Sequence, residues 1–202
     1  MSEQFHDGSH LAEHLERLLK RRARAVAPVT VILGSSRRAG NTARLVDAVF
    51  RGEPAARIVD LSGYDIAPYD YGHRHGTDDF LPLARDMAES DVVVFATPVY
   101  WYAMSAQMKT FFDRLSDLTR MDKPLGRSLA GKTMFLLATS SSPSLPDGFE
   151  TPFAETARYF GMTWGGALHA EMRDDGPLPP EAEARAARFA DLIGRSLSAK
   201  AA

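Results

Sequence analysis

The chain alternates between two patterns of apolar residues. Short runs rich in β-branched and aliphatic residues are typical of strands buried on both faces. Each run is followed by a stretch with helical apolar spacing. The five predicted strands are VTVIL, ARIVDL, DVVVFAT, KTMFLLATS and MTWGGALHA, at residues 29–33, 56–61, 91–97, 132–140 and 162–170. The last is the weakest, because paired glycines reduce order in a strand.

The helical stretches lie between and after these strands. The first predicted helix carries the apolar stripe Leu45, Val46, Val49 and Phe50. The other predicted helices cover residues 78–90, 105–118, 149–160 and 179–197. In the predicted helix over 78–90, Asp78 or Asp79 is the expected N-cap and Pro82 lies in the first turn. For the third, Met108, Phe111, Phe112 and Leu115 have the spacing of core or interface residues.

Before the first strand, residues 1–27 predict an amphipathic helical extension. Leu11, Leu15, Leu18 and Leu19 fall on one helical face, and the segment ends in basic residues, which suits a helix C-terminus. It would pack on the domain or on a partner subunit; a membrane-surface helix is the alternative. Residues 28–202 are then expected to form one domain.

Strands alternating with helices predict right-handed crossovers and a parallel sheet. Five such strands suit a doubly wound, flavodoxin-like α/β fold with the order 2-1-3-4-5 and helices on both faces. The strand count and the loop motifs indicate this order, whereas periodicity does not. Ligands in such sheets bind beyond the carboxyl ends of the strands, so the loops of interest are 34–42, 97–105 and 140–148.

The composition of the chain excludes several classes of function. The sequence has 202 residues, 45% of them hydrophobic, with a net charge of −2 and no cysteine. It therefore offers no basic field for nucleic acid, no disulfide and no thiolate ligand or nucleophile. No apolar stretch approaches a membrane span, and the N-terminus lacks the pattern of a secretory signal, so we expect a cytoplasmic protein.

The first loop, within LGSSRRAGNT at 33–42, combines glycines, hydroxyls and two arginines at a predicted helix N-terminus. Such a loop suits an anion. A Walker A loop would have four residues between its glycines and then lysine, whereas five residues separate Gly34 from Gly40 and Asn41 follows. The G-x-G-x-x-G dinucleotide pattern is also missing. A single terminal phosphate agrees best with this loop, and an ordinary turn capping a helix is the alternative.

The second loop, within TPVYWYAM at 97–104, places aromatic residues directly after a buried strand. Loops at surfaces are usually polar, so this one predicts a site for a flat hydrophobic ligand. A packing loop or subunit interface is the alternative.

Together, GSSRRAGNT and TPVYWYAMSAQMKTFFDRL resemble the phosphate loop and the isoalloxazine loop of the NADPH-dependent FMN reductase family, over about Val29–Arg195. The resemblance implies bound FMN and a homodimer or homotetramer. It implies that the phosphate is held by Ser35, Arg37, Gly40, Asn41 and Thr42. It implies that the ring is lined by Pro98, Val99, Tyr100, Trp101 and Met104. It also implies that the pyrimidine side of the ring meets Ser140, Ser141 and Ser142.

The implied activity is that of an NAD(P)H-dependent FMN oxidoreductase. NADPH or NADH would pass hydride to the flavin, which would reduce a small acceptor such as a quinone or a free flavin. Such turnover needs stacking geometry and donors at the ring edge rather than a catalytic side chain. A flavodoxin-type electron carrier and a non-catalytic flavin-binding protein are the alternatives, although carriers are usually more acidic. The related iron–sulfur flavoproteins are excluded because the sequence has no cysteine.

Several polar residues have open roles. His73 and His75 suggest either a metal site, for which no third ligand is evident, or the rim of an acceptor pocket. Asp113 and Arg114 resemble an Asp-Arg pair of the same family, and an ion pair on a helix end or interface is the simpler expectation. Lys109 is expected to face solvent or the phosphate. Two further acidic residues, Asp174 and Asp175, are expected in a solvated turn.

Overall fold

The structure is a computed structural model that describes residues 28–51, 56–172 and 176–201. The predicted extension at 1–27 and the turn at Asp174 and Asp175 lie outside the described residues. Five parallel strands are β1 Val29–Leu33, β2 Ala56–Asp60, β3 Val92–Tyr100, β5 Thr133–Ser140 and β6 Thr163–Glu171, with a short β4 at Ala103–Met104. The α-helices are α1 Asn41–Val49, α2 Phe80–Glu89, α3 Ala106–Arg114, α4 Asp117–Arg120, α5 Lys123–Arg127, α6 Thr151–Tyr159 and α7 Pro180–Ala201.

The parallel strands form one sheet in the order β2-β1-β3-β5-β6. This confirms the predicted flavodoxin-like order, since β5 and β6 are the fourth and fifth parallel strands along the chain. The direction of winding reverses at β1, which pairs with β2 on one side and β3 on the other. That reversal creates the crevice in which doubly wound proteins bind ligands.

Hydrophobic cores cover both faces of the sheet, as predicted. On one face, α2, α3 and α6 contribute buried residues that include Phe80, Phe111 and Phe153. On the other, α1 and α7 contribute buried residues that include Leu45 and Phe189. Successive residues of a strand point to opposite faces, so the central strands are apolar at almost every position.

The predicted helix over 105–118 is wrong in one respect, because the chain bends after Arg114 and continues as α4. Leu115 and Ser116 donate backbone hydrogen bonds to residues three positions earlier, a tightening that ends a regular helix. The short α5 that follows was not predicted. It packs closely on α4, since a Cβ on Gly126 would lie 2.3 Å from the carbonyl oxygen of Leu118.

The paired glycines of β6 have a structural use. Met134 pairs with Trp164 and Phe135 with Gly166, so Gly165 is the additional residue of a β-bulge. A Cβ on Gly165 would lie 2.3 Å from the ring of Phe135, and Gly166 has a φ of 107°. Gly165 therefore admits the Phe135 ring, Gly166 adopts a backbone conformation that other residues disfavour, and β6 continues for nine residues.

Across 28–51, 56–172 and 176–201, the structure contains no helix with the length and apolar character that crossing a membrane requires.

Candidate functional site

Three loops meet at the carboxyl edge of the sheet. Leu33, the last residue of β1, pairs with Ala96 of β3, and Pro98 of β3 pairs with Thr139 of β5. The loops after β1, β3 and β5 are therefore neighbours at the point where the strand order reverses. This is the arrangement expected from the sequence.

Gly34 joins the first loop to the start of α3. Its N–H donates to the carbonyl of Ala96 at 2.9 Å, and its carbonyl accepts a 2.6 Å hydrogen bond from Ser105 Oγ. A Cβ on Gly34 would lie 2.9 Å from Cβ of Met108, so only glycine allows this approach. Ser105 also caps α3 by accepting from the N–H of Met108.

The first loop folds back on itself before α1. The Arg37 N–H donates to Ser35 Oγ at 3.3 Å, and the Gly40 N–H donates to the Arg37 carbonyl at 3.2 Å. Gly40 is the N-cap of α1 and has no side chain with which to cap it. The first-turn N–H groups of a helix have no acceptor within the helix, so this end can receive an anion.

Not every predicted phosphate residue points its side chain toward the solvent side of this loop. Thr42 is buried, and its hydroxyl lies 2.8 Å from Thr139 Oγ1. Asn41 Oδ1 accepts from Arg44, and Ser35 is buried beneath the loop. These side chains build the loop, and the predicted contact of Thr42 with phosphate stays a prediction.

The exposed donors of this loop are Ser36, Arg37 and Arg38. Ser36 and Arg38 are among the hydroxyls and arginines that make this loop suit an anion, although the family resemblance does not assign them to the phosphate. Ser36 Oγ lies 3.1 Å from the Tyr100 hydroxyl and so links the first loop to the second. Arg38 donates to Ser62 Oγ at 3.2 Å. Hydroxyls and guanidinium groups at a helix N-terminus match the chemistry of a phosphate monoester.

The second loop is a β-hairpin, which the sequence pattern does not indicate. Tyr100 pairs with Ala103 and Val99 with Met104, which leaves a two-residue turn. Those two residues, Trp101 and Tyr102, have positive φ values of 48° and 66°. Positive φ at both central residues is the geometry of a type I′ turn, in which Asn-Gly is the usual sequence.

The hairpin displays its aromatic side chains. Trp101 is 92% exposed and Tyr102 is 77% exposed, while Tyr100 is about half as exposed as Tyr102. Val99 and Met104 are partly buried at the base and pack against the core. Pro98 is buried within the strand itself. The predicted ring-lining residues thus form an apolar base with an aromatic tip above it.

The third loop is organised around one hydroxyl. Ser140 Oγ accepts from the Ser142 N–H at 3.2 Å and lies 2.8 Å from Nε2 of His169. Ser141 and Ser142 are exposed. Burial, together with the nearby Arg185, lowers the pKa of His169 below its ordinary value, although Glu171 acts in the opposite direction. His169 was not among the predicted site residues, because no local motif marks it.

A buried arginine anchors the long loop after β2. Arg114 is 2% exposed and forms ion pairs with both Asp78 and Asp117. It also donates to the carbonyls of Ala67 and His75, at 3.0 and 3.1 Å. Burial opposes its charge, yet the hydrogen bonds to both carboxylates hold the pKa of Arg114 above its ordinary value.

Asp113 and Arg114 both form ion pairs near the end of α3, as expected, but with different partners. Asp113 accepts from Lys109 at 2.6 Å on the exposed face of α3, so Lys109 faces solvent. The two neighbours point in different directions because successive helical positions are about 100° apart. Arg114 therefore ties a loop to the core.

The two histidines of that loop have structural contacts. His73 Nδ1 lies 2.9 Å from Asp117 Oδ1, and its ring meets Tyr69 edge-on. His75 contributes its backbone carbonyl to Arg114. Among the residues that the structure describes, no three His, Cys, Asp or Glu side chains form a metal-binding group.

The chain is 27% identical over 160 residues to a putative NAD(P)H-dependent FMN-containing oxidoreductase, YwqN, of Bacillus subtilis, covering 74% of this chain and 88% of that one. An iron-sulfur flavoprotein of Archaeoglobus fulgidus is 34% identical over 101 residues, which cover 42% of this chain and 43% of that protein. The sequence has no cysteine with which to bind such a cluster.

Solved structures share the fold. The Trp repressor binding protein of Bacillus subtilis superposes with a TM-score of 0.65 at 23% identity, covering 79% of this chain and 96% of the other. General stress protein 14 of Treponema denticola, determined in complex with FMN, superposes with a TM-score of 0.54 at 17% identity, covering 85% and 98%.

The family model for NADPH-dependent FMN reductases matches residues 27–153, a range that contains all three loops. This chain therefore belongs to the NADPH-dependent FMN reductase family.

Proposed function

We propose that this protein is an FMN-dependent NAD(P)H oxidoreductase whose three sheet-edge loops hold the cofactor and whose acceptor is a small, flat molecule of the quinone or flavin type. One observation carries the proposal. An apolar hairpin with exposed aromatic residues stands beside a loop of phosphate-binding chemistry, and the Ser36–Tyr100 contact joins the two.

The first loop would anchor the phosphate. Arg37 and Ser36 are exposed next to the N-terminus of α1, where the helix dipole and first-turn N–H groups favour negative charge. Because α1 is packed on the core through Leu45, Val46 and Val49, this anchor is rigid. A rigid anchor positions the rest of the cofactor at low entropic cost.

The second and third loops would bind the ring from two sides. Val99 and Met104 offer apolar surface, and the serines of the third loop offer hydroxyl and N–H groups. When bound, FMN would supply the hydride and electron transfer that these side chains cannot perform. Donors fixed at the ring edge would stabilise the negative charge that reduction creates.

The acceptor class follows from the exposed tip of the hairpin. Trp101 and Tyr102 present flat aromatic surface to solvent, which suits stacking with another planar molecule. An FMN-dependent NADH:quinone oxidoreductase of Idiomarina loihiensis is 36% identical over 66 residues, 29% of this chain and 28% of that one. That likeness supports a quinone-type acceptor here.

Stopped-flow mixing tests the proposed activity. Protein loaded with FMN is mixed anaerobically with NADH or NADPH, and the flavin absorbance near the visible maximum is followed. We expect rapid bleaching by at least one coenzyme, then recovery on adding a quinone. Bleaching by neither coenzyme would contradict the enzyme and favour an electron carrier or a non-catalytic flavin-binding protein. Failure to bind FMN would contradict all three.

A further inference from the structure

His169 is a buried polar residue near the carboxyl end of β6, in contact with the third loop. It is 7% exposed, and its Nε2 lies 2.8 Å from Ser140 Oγ. Ser140 Oγ also lies 3.2 Å from both the N atom and the carbonyl oxygen of Ser142. A single hydroxyl therefore connects a buried histidine to the backbone of an exposed loop.

The hydrogen-bonding capacity of this hydroxyl is limited. A serine hydroxyl has one proton to donate and two lone pairs to accept with. The Ser142 N–H occupies one lone pair. If the proton points to the Ser142 carbonyl, His169 donates its Nε2–H to the other lone pair. If the proton points to His169 Nε2, the hydroxyl no longer binds that carbonyl. The Ser142 N–H bond is kept in both arrangements, and the histidine ring decides whether the hydroxyl also binds the Ser142 carbonyl.

We infer that His169 is a positioning residue for the flavin-binding loop, which it holds through Ser140, the acceptor for the Ser142 N–H, so that the Ser141 N–H and the exposed Ser142 hydroxyl are fixed at the cofactor edge. This inference rests on the proposed function. Because its hydrogen bond is to Ser140, His169 would act on the cofactor through that residue. Donors fixed in advance stabilise developing charge without reorganising.

The strand pairing supports this role. Ala138 of β5 pairs with His169, and Ser140 pairs with Glu171, so the histidine is placed by the same ladder that places the loop. Burial and the neighbouring Arg185 favour the neutral ring over the imidazolium, and Glu171 opposes them. A neutral ring has one donor and one acceptor nitrogen and can satisfy either arrangement of the hydroxyl.

Three variants separate positioning from ordinary stabilisation. His169→Phe removes the hydrogen bond and keeps a buried ring. His169→Gln keeps a donor near the position of Nε2 and is the conservative rescue. Thr30→Val is the matched control, because it removes another buried side-chain hydrogen bond, 2.6 Å from Thr30 Oγ1 to Ser90 Oγ, away from the three loops.

The first measurement uses the protein without added cofactor. Hydrogen–deuterium exchange of the Ser142 amide should be faster in His169→Phe than in the wild type and unchanged in His169→Gln and Thr30→Val. The second measurement uses FMN. Its dissociation constant should rise about 3- to 10-fold in His169→Phe, the range expected for one hydrogen bond, with a change in the bound flavin's absorption spectrum. Ser140→Ala should behave like His169→Phe, and the double variant should lose little more.

The outcomes distinguish the inference from the proposed function. If His169→Phe lowers the melting temperature as Thr30→Val does, but leaves Ser142 exchange, FMN affinity and the spectrum unchanged, the positioning role is overturned. If the wild type itself binds no FMN, the proposed function is overturned.

Discussion

At the scale of single residues, Arg114 is a buried cation whose charge must be compensated by its partners. It is the largest side chain among the fully buried ones, and both of its ion-pair partners are themselves nearly buried. Its guanidinium also lies over the Phe80 ring, 4.9 Å from the centroid. Every donor direction of this planar group is used, which lysine could not reproduce.

Replacing Arg114 with Met should therefore be strongly destabilising. The change leaves the Asp78 and Asp117 carboxylates buried without their cation, and breaking a buried pair in this way costs about 3–5 kcal/mol. Denaturant unfolding measures the loss. The exposed Lys109–Asp113 pair is the matched comparison, and Lys109→Met should change stability by less than about 0.5 kcal/mol. Equal effects of the two variants would show that burial does not set the importance of Arg114.

His169 should make the stability depend on pH. Its folded pKa lies below the ordinary value of 6.5, so the unfolded chain takes up this proton first as the pH falls. Stability from this group should thus be complete above about pH 7.5 and decline as the pH falls through about 6.5. Unfolding curves from pH 5 to 8 should show a steeper loss for the wild type than for His169→Gln. Parallel curves would argue against a depressed pKa.

At the scale of elements, the hairpin of β3 and β4 holds two bulky residues in a strained conformation. Left-handed backbone costs about 1–2 kcal/mol for an ordinary residue. The exposed side chains of Trp101 and Tyr102 recover little of this by burial. Strain retained at a candidate site suggests a functional reason for these aromatics.

Replacing Trp101 with Asn and Tyr102 with Gly should relieve that strain. We expect the double variant to be more stable by about 1 kcal/mol, since Asn-Gly suits a type I′ turn. Its turnover with a quinone should nevertheless fall, because the aromatic tip is gone. Tyr71→Gly is the control: it removes an equally exposed tyrosine where φ is not positive, so it should not stabilise. A double variant that is less stable than the wild type would contradict the backbone strain. A double variant that is fully active would contradict the role of the aromatic tip.

The elements also show how far the sequence could predict the site. The parallel strands, the helices of both layers and the position of the three loops follow from local periodicity and turn residues. The hairpin does not, because Trp-Tyr is an unusual type I′ sequence and a two-residue strand has no periodicity. Arg114 and His169 were missed as anchors for another reason. Asp78, the distant partner of Arg114, and Ser140, the partner of His169, are 36 and 29 residues away in the sequence, and only the fold brings them together.

At the scale of the whole molecule, the two hydrophobic cores cover the faces of the sheet, and the loops lie at its carboxyl edge. α1 and α3 both begin at this edge, after their N-caps Gly40 and Ser105, and each is packed firmly on one face of the sheet. The loops are thus held at both ends by rigid elements, which is how sheets of this kind position ligands. The expected homodimer or homotetramer stays a prediction, which analytical ultracentrifugation with and without FMN would measure.

Cofactor binding at this edge should stabilise the whole domain by mass action. At a ligand concentration 100 times its dissociation constant, the gain is about 2.7 kcal/mol, which for a protein of this size raises the melting temperature by roughly 5–10 °C. Riboflavin, which has the ring without the phosphate, should give a much smaller shift at the same concentration. The difference between the melting-temperature shifts with FMN and with riboflavin therefore measures phosphate binding, which we assign to the first loop.

Arg37→Ala should remove most of the difference between FMN and riboflavin, because the lost guanidinium is an exposed donor beside the α1 N-terminus. Arg127→Ala, an exposed arginine on α5, is the control and should keep the wild-type difference. Thermal melts of the three proteins with each ligand measure the effect. If FMN and riboflavin stabilise the wild type equally, the phosphate is not held by the loop, and the ring site alone would account for binding.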